Sequence, residues 1–271
     1  MSAAPIVLLF DSGLGGLTVH REVVRARPDA RYIYAADDAF FPYGKQQEAD
    51  LVNRVLSVIN DLIDAHRPDL VVVACNTAST LVLPQLRERF EVPFVGTVPA
   101  IKPACAASKS RLVTVLGTEA TVRREYTHAL IRDFADGCAI NLVGSPRLAE
   151  LAETVLHGSE VTDAEIATEI APCFVEAESG RTDTVVLACT HYPLLIERLR
   201  RLAAWPVTFM DPAPAIARRV TDLLAPGFPP RAGAARPPMT ELIFTSGRPP
   251  SPALKAALLS YGVNQTARTS V

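Results

Sequence analysis

The sequence predicts an α/β protein with two pseudo-symmetric lobes. Each lobe is a mostly parallel sheet flanked by helices, and the active site lies in the cleft between them. Three observations carry this expectation. Short β-branched runs alternate along the chain with longer segments of helical period, the pattern of parallel sheets covered by helices. Two of these runs end alike, "LVVVACNTAST" at 70–80 and "TVVLACTHYP" at 184–193, each an apolar strand followed by Ala-Cys and polar residues. Each repeated tip is also preceded, at a similar distance, by a strand that leads to Asp11 in the first half and to Thr118 in the second.

Strands are expected at Ile6–Phe10, Arg31–Ala35, Leu70–Ala74, Phe94–Val95, Leu112–Leu116, Ile140–Val143, Thr184–Ala188, Val207–Met210 and Leu242–Phe244. The first ends at Asp11, and "FDSGLGGLTV" (10–19) turns through small residues into a helix that begins near Gly16 and Leu17. Backbone N–H groups in such a turn can hold a carboxylate or phosphate. The glycine spacing is not G-x-G-x-x-G, so no dinucleotide site is expected, and a tight strand–helix turn accounts for the same residues. In "TVHREVVRARP" and "EADLVNRVLSVINDLIDAHRP" apolar residues recur three and four apart, which predicts amphipathic helices. "DDAFFPYGK" (37–45) follows the second strand, and Pro42, Tyr43 and Gly44 form either a binding loop or a simple β-turn.

The third strand delivers Cys75. "CNTAST" then places Asn76, Thr77, Ser79 and Thr80 at a helix start, where an amide and hydroxyls can cap the helix or bind an anion. The strand at 184–188 delivers Cys189, with Thr190 and His191 directly after it. Half of the 22 prolines fall at or after Pro206, and "LLAPGFPPRAGAARPP" (223–238) is expected to be a loop or connector. The expected division is residues 1–98 plus 208–271 for lobe one, carrying Asp11 and Cys75. Lobe two is then 99–207, carrying Glu153, Cys189 and His191.

Composition narrows the function. A chain of 271 residues with 49% hydrophobic content can bury a sizeable core. A net charge of −2 lacks the basic excess that nucleic acid or an anionic membrane would call for, so neither is expected as a partner. "MSAAPIVLLFDSG" has no positive n-region and its apolar run stops at Asp11, too short for a signal peptide or a membrane span; a cytoplasmic location is expected. Five cysteines, none spaced C-x-x-C, and few histidines argue against a disulfide framework or a structural zinc site. Cys105, Cys138 and Cys173 are expected to be small buried hydrophobes.

Two thiols at matching strand tips call for a reaction that needs two. A disulfide exchanger keeps its cysteines close in sequence. A thiol hydrolase needs one cysteine and a base, which leaves the other unexplained. Moving a proton from one face of a carbon to the other needs an acid and a base of equal character, and a thiol with a thiolate supplies that pair. The residues therefore point to a cofactor-independent racemase or epimerase acting on a carboxylate, with no metal and no pyridoxal lysine.

At these residues the chain resembles the glutamate racemases of the aspartate/glutamate racemase family. The motifs "FDSGLGGLTV", "PYG", "ACNTAST", "VPAIKPA" (98–104), "LGTEATV" (116–122) and "CTHYP" occur in the family's order over nearly the whole length. The resemblance implies interconversion of L- and D-glutamate, supplying D-glutamate for peptidoglycan. It implies catalytic roles for Cys75 and Cys189, with Asp11 beside the first thiol and His191 beside the second, and Glu153 assisting on the second side. Substrate contacts would fall on Asp11, Ser12, Tyr43, Gly44, Asn76, Thr77, Thr118, Thr190 and His191. The implied partners are glutamate and a second copy in a homodimer, with a secondary gyrase interaction known for some members. Where the family usually has Thr or Ser and then Arg, this chain has Asp38 and Phe40, which changes the local charge. An aspartate racemase of the same fold is the nearest alternative, although such enzymes usually carry Glu at the position of His191. A non-enzymatic binder is the alternative from another class, and the intact pair Cys75 and Cys189 argues against it.

Overall fold

A computed structural model describes residues 4–178, 180–230 and 239–263. Its strands, in chain order, are β1 (Ile6–Asp11), β2 (Arg31–Ala36), β3 (Leu70–Val73), β4 (Phe94–Gly96), β5 (Leu112–Thr118), β6 (Ala139–Ser145), β7 (Glu176–Ala177), β8 (Gly180–Arg181), β9 (Thr184–Ala188), β10 (Thr208–Met210) and β11 (Thr240–Phe244). They form a five-stranded sheet in the order β11-β2-β1-β3-β4 and a four-stranded sheet in the order β10-β9-β5-β6. Every pairing within these two sheets is parallel. Strand–helix alternation is what allows this, because each parallel crossover is long enough to hold a helix. β7 and β8 form a small antiparallel ribbon of exposed residues that strand periodicity does not signal.

The described residues divide into two compact units, one within Met1–Thr97 and Ala213–Val271, the other Val98–Pro212. The sequence placed the second crossing at residue 208. β10 instead pairs with β9 in the second sheet, and that unit runs on to Pro212. The expected connector at 223–238 lies in part, 231–238, outside the described residues.

Both units use one strand order. Counted from its own first strand, the first sheet contains second–first–third–fourth as β2-β1-β3-β4, and the second contains β6-β5-β9-β10. In a parallel sheet the order reverses between the first and third strands, and ligands bind at the carboxyl ends there. That switch point lies between the ends of β1 and β3 in one unit and of β5 and β9 in the other. The registers Phe10↔Val73 and Gly117↔Ala188 place Asp11 near Cys75, and Thr118 near Cys189, at these ends.

Burial holds the strands in place. In the first unit Leu8, Phe10, Val71 and Val73 pack against Ile59, Leu62, Val82 and Leu86 of the covering helices. In the second, Leu116, Val185 and Leu187 pack against Leu151, Ile166 and Leu199, while Val113, Val115 and Val186 meet Ile101 and Ala104 on the opposite face. The returning segment adds the helix Ala213–Leu224 against Leu17–Ala26, and β11 on β2. Two buried polar ties fix it. His20 Nε2 lies 2.9 Å from Thr240 Oγ1, and Arg27 Nη2 donates to the Phe228 carbonyl at 3.0 Å. Among the described residues no helix is long and apolar enough to cross a membrane.

Candidate active site

The first half-site grows from the tips of β1, β2 and β3. Asp11 closes β1 and is fully buried. Its Oδ2 accepts the backbone N–H of Gly13 at 3.2 Å and of Gly16 at 3.1 Å, so the turn that the glycines allow cradles the carboxylate. Gly16 is required by space: a Cβ there would stand 2.8 Å from Tyr34 Oη, 3.0 Å from Asp11 Cβ and 3.1 Å from Ala74 Cβ. Ser12 is buried beside it.

Cys75 is buried and starts the helix Asn76–Arg89. The polar run behind it divides by role. Ser79 Oγ donates to the Val73 carbonyl at 2.8 Å and accepts from the Thr97 N–H at 3.0 Å, and Thr80 Oγ1 donates to the Asn76 carbonyl at 3.1 Å. Those two hydroxyls belong to the scaffold. Asn76 is also buried, yet neither Oδ1 nor Nδ2 has a hydrogen-bond partner, a costly arrangement in an interior unless a ligand completes it. Thr77 is buried next to it.

Tyr43 lies in a short 3-10 turn, Tyr43–Lys45, which also holds Gly44, after a cis Phe41–Pro42 peptide. Its hydroxyl donates to Asp37 Oδ2 at 2.7 Å. Asp37 is fully buried and also accepts from Arg54 Nη2 at 2.5 Å and from Thr245 Oγ1 at 2.6 Å. Burial, reinforced by the Asp37 carboxylate and then by Cys75 and Asp11, pushes the Tyr43 phenol well above its ordinary value. Tyr43 is therefore a fixed neutral donor. Asp37, Arg54 and Thr245 were not signalled by the sequence, because they come from three distant segments. The unusual Asp38 is bound by the backbone and side chain of Ser246, and Phe40 packs edge-on against Tyr43 at 6.3 Å. Arg54 gives this loop its positive charge, paired with Asp37.

The second half-site grows from β5 and β9. Thr118 ends β5 and caps the helix Glu119–Arg123, accepting the Thr121 N–H at 3.1 Å. Cys189, Thr190 and His191 leave β9 buried. Cys189 Sγ lies 3.9 Å from His191 Nδ1, and His191 Nε2 lies 2.8 Å from Glu153 Oε1. Thr190 Oγ1 is 3.5 Å from Nδ1. Glu153 comes from the helix Leu148–Leu156, whose apolar face sits in the core and leaves the carboxylate turned to the imidazole. Burial alone would lower the His191 pKa. Hydrogen bonding to Cys189 and Glu153, together with their charges, outweighs it and raises the imidazole well above its usual value. The imidazole is thereby held as a cation beside the sulfur.

The other three cysteines are buried. Burial pushes the Cys105 and Cys173 thiols up to about 12, so they stay protonated and unreactive. Among the described residues no cluster of three or more His, Cys, Asp or Glu could hold a metal ion.

The fold and the paired strand tips have counterparts among known proteins. The chain belongs to the Asp/Glu/Hydantoin racemase family, whose model matches residues 17–220. A glutamate racemase from Brucella anthropi is 49% identical over 95% of this chain and 92% of its own. The Escherichia coli glutamate racemase, solved with L-glutamate and the activator UDP-MurNAc-ala, superposes with a TM-score of 0.87 at 41% identity, covering 99% of this chain and 98% of that one. That from Thermus thermophilus, solved with β-chloro-D-alanine, gives 0.75 at 28% identity over 99% and 98%. By these relatives the chain is an isomerase of the glutamate racemase group.

Proposed function

We propose that the protein interconverts L- and D-glutamate without a cofactor, using Cys75 and Cys189 as the two acid/base groups, and so supplies D-glutamate for peptidoglycan synthesis. The observation that carries this reading is the repeated tip. In each unit the third strand of a like-ordered sheet delivers a buried thiol to the switch point, with an ionisable partner close by: Asp11 on the first strand in one unit, the His191–Glu153 pair in the other. A cytoplasmic location, a homodimeric state and a secondary contact with gyrase accompany this reading through the resemblance.

An ordinary thiol has a pKa of about 8.5, so the base form needs help. His191, whose pKa is raised, stands with Nδ1 3.9 Å from the Cys189 sulfur, and Cys75 lies at the N-terminus of the helix Asn76–Arg89, where the helix dipole favours negative charge. In the L to D direction the Cys189 thiolate takes the α-proton, and Cys75, entering as the thiol, donates a proton to the opposite face. In the D to L direction the roles exchange. The α-proton of an amino acid is far less acidic than either thiol, so donors on the α-carboxylate must stabilise the carbanion-like transition state. Asn76, Thr77, Ser12, Thr118 and Thr190, with the Gly44 backbone, are proposed for that and for the substrate's other polar groups, while the Tyr43 oxygen, its proton given to Asp37, is proposed to accept from the substrate ammonium.

The test is one-sided chemistry. With β-chloroalanine, α-deprotonation expels chloride and needs only one base. Cys75→Ala should eliminate it from the L-isomer and Cys189→Ala from the D-isomer. Each variant should lose racemisation by well beyond the roughly 10²–10⁴-fold of a single general base. Near wild-type racemisation by either variant would sink the two-thiol reading.

A further inference from the structure

The repeated tips imply a second requirement, and this step rests on the two-thiol reading. After each L to D turnover, the Cys189 side holds one proton more than at the start and the Cys75 side one fewer. A racemase that runs repeatedly in one direction must therefore pass a proton between each half-site and solvent before the next molecule can react. Cys189, His191 and Glu153 are together largely buried, so the exit from that side has to be built.

We propose that His157 is that exit: an exposed imidazole that exchanges protons between solvent and the Cys189–His191–Glu153 unit through the Glu153 carboxylate. The two oxygens of Glu153 face different imidazoles. Oε1 lies 2.8 Å from His191 Nε2, and Oε2 lies 3.5 Å from His157 Nε2. The His191 side chain is 2% exposed, that of Glu153 13% and that of His157 49%, so the three form a graded path from interior to water. Their spacing has a simple origin. Glu153 and His157 are four apart at the end of the helix Leu148–Leu156, where residues i and i+4 share a face and a histidine at the C-terminal end is favoured.

The proton balance is direct. Once the thiolate has taken the α-proton, the sulfur–imidazole–carboxylate unit carries one extra proton. It returns to its starting charge when a proton leaves Glu153 Oε2 for His157 Nε2 and His157 releases its Nδ1 proton to solvent. In the D to L direction the same path runs inward. An imidazole suits this task because its ordinary pKa, about 6.5, lets it both take and give a proton near neutral pH.

His157→Gln keeps a hydrogen-bonding side chain next to Glu153 but cannot carry a proton. In this variant kcat should fall at least about tenfold in both directions, while kcat/KM, which does not include the resetting step, stays within about twofold of wild type. The glutamate concentration at which the rate begins to fall through slow exchange of the two enzyme forms should drop in parallel. Added imidazole buffer should restore kcat. A wild-type kcat with unchanged behaviour at high glutamate would overturn the proposal, as would a joint loss of kcat and kcat/KM that imidazole does not relieve. Racemisation by Cys189→Ala would instead remove the two-thiol reading on which it rests.

Discussion

Asn76 and its neighbours show what one polar side chain can and cannot reveal at the level of sequence. "CNTAST" offers four hydrogen-bonding side chains, and nothing in the string says that Ser79 and Thr80 turn back to the scaffold while the Asn76 amide stays without a partner. A buried unpaired amide costs about 1–3 kcal/mol. Asn76→Ala should therefore leave stability unchanged or raise it in thermal unfolding, while the KM for glutamate rises at least about tenfold. A clear loss of stability with unchanged KM would refute a ligand-facing role. Histidines differ in the same way. His20 is buried against Tyr32 and Tyr34, and burial lowers its pKa to about 4, so it folds neutral. The unfolded chain takes up that proton near 6.5. The His20 contribution should then be constant above about 6.5 and lower stability progressively between about 6.5 and 4, by up to roughly 3 kcal/mol at the lower end. Urea midpoints across that range should show the slope, and His20→Gln should flatten it. His191 acts in the opposite sense: its raised pKa contributes stability that is full below about 6.5 and lost as pH rises through the folded value.

At the level of elements, the strand tips were legible because period, β-branching and the change to polar residues coincide there. Nine expected strands have counterparts in the structure, and Asp11, Cys75, Thr118 and Cys189 stand at or just beyond strand ends. The support beneath Tyr43 was not legible. Asp37, Arg54 and Thr245 meet through folding alone, two of them 208 residues apart, and an arginine on an amphipathic helix resembles any solvated charge. His157 was hidden likewise, as an unremarkable residue at the end of a helix. The β1 tip makes its own prediction. Gly16→Ala would press a methyl into Tyr34 and Ala74 and shift the N–H that holds Asp11. It should cost about 1–3 kcal/mol in denaturant unfolding and lower kcat/KM, because the carboxylate beside Cys75 moves with the turn. A variant with wild-type stability and activity would show that the turn yields freely.

For the whole molecule, the last strand lies on the edge of β2 in the first sheet, while β10 stays with β9 in the second. β10 is three residues long, and a run that short does not show which sheet it joins. The returning segment supplies the partner for the edge of β2, the Phe228 carbonyl for buried Arg27, and Thr245 and Ser246 for Asp37 and Asp38. Ending the chain at Pro212 should therefore abolish activity and cooperative unfolding of the first unit, as read by circular dichroism during urea titration. A cooperative, active fragment would contradict that assignment. The like-ordered sheets also bear on what the proposed catalysis can express. Mirror-image substrates have equal free energies, yet a chain of L-residues cannot reflect its own backbone; it can only repeat a topology and place different side chains on each copy. A carboxylate then serves one thiol and an imidazole the other. Because the equilibrium constant is fixed at unity by symmetry, the specificity constants for the two enantiomers must coincide at every pH, however unlike the two tips are. The inequality can show itself only as a matched change in turnover and half-saturation, one enantiomer held longer and released more slowly than its reflection.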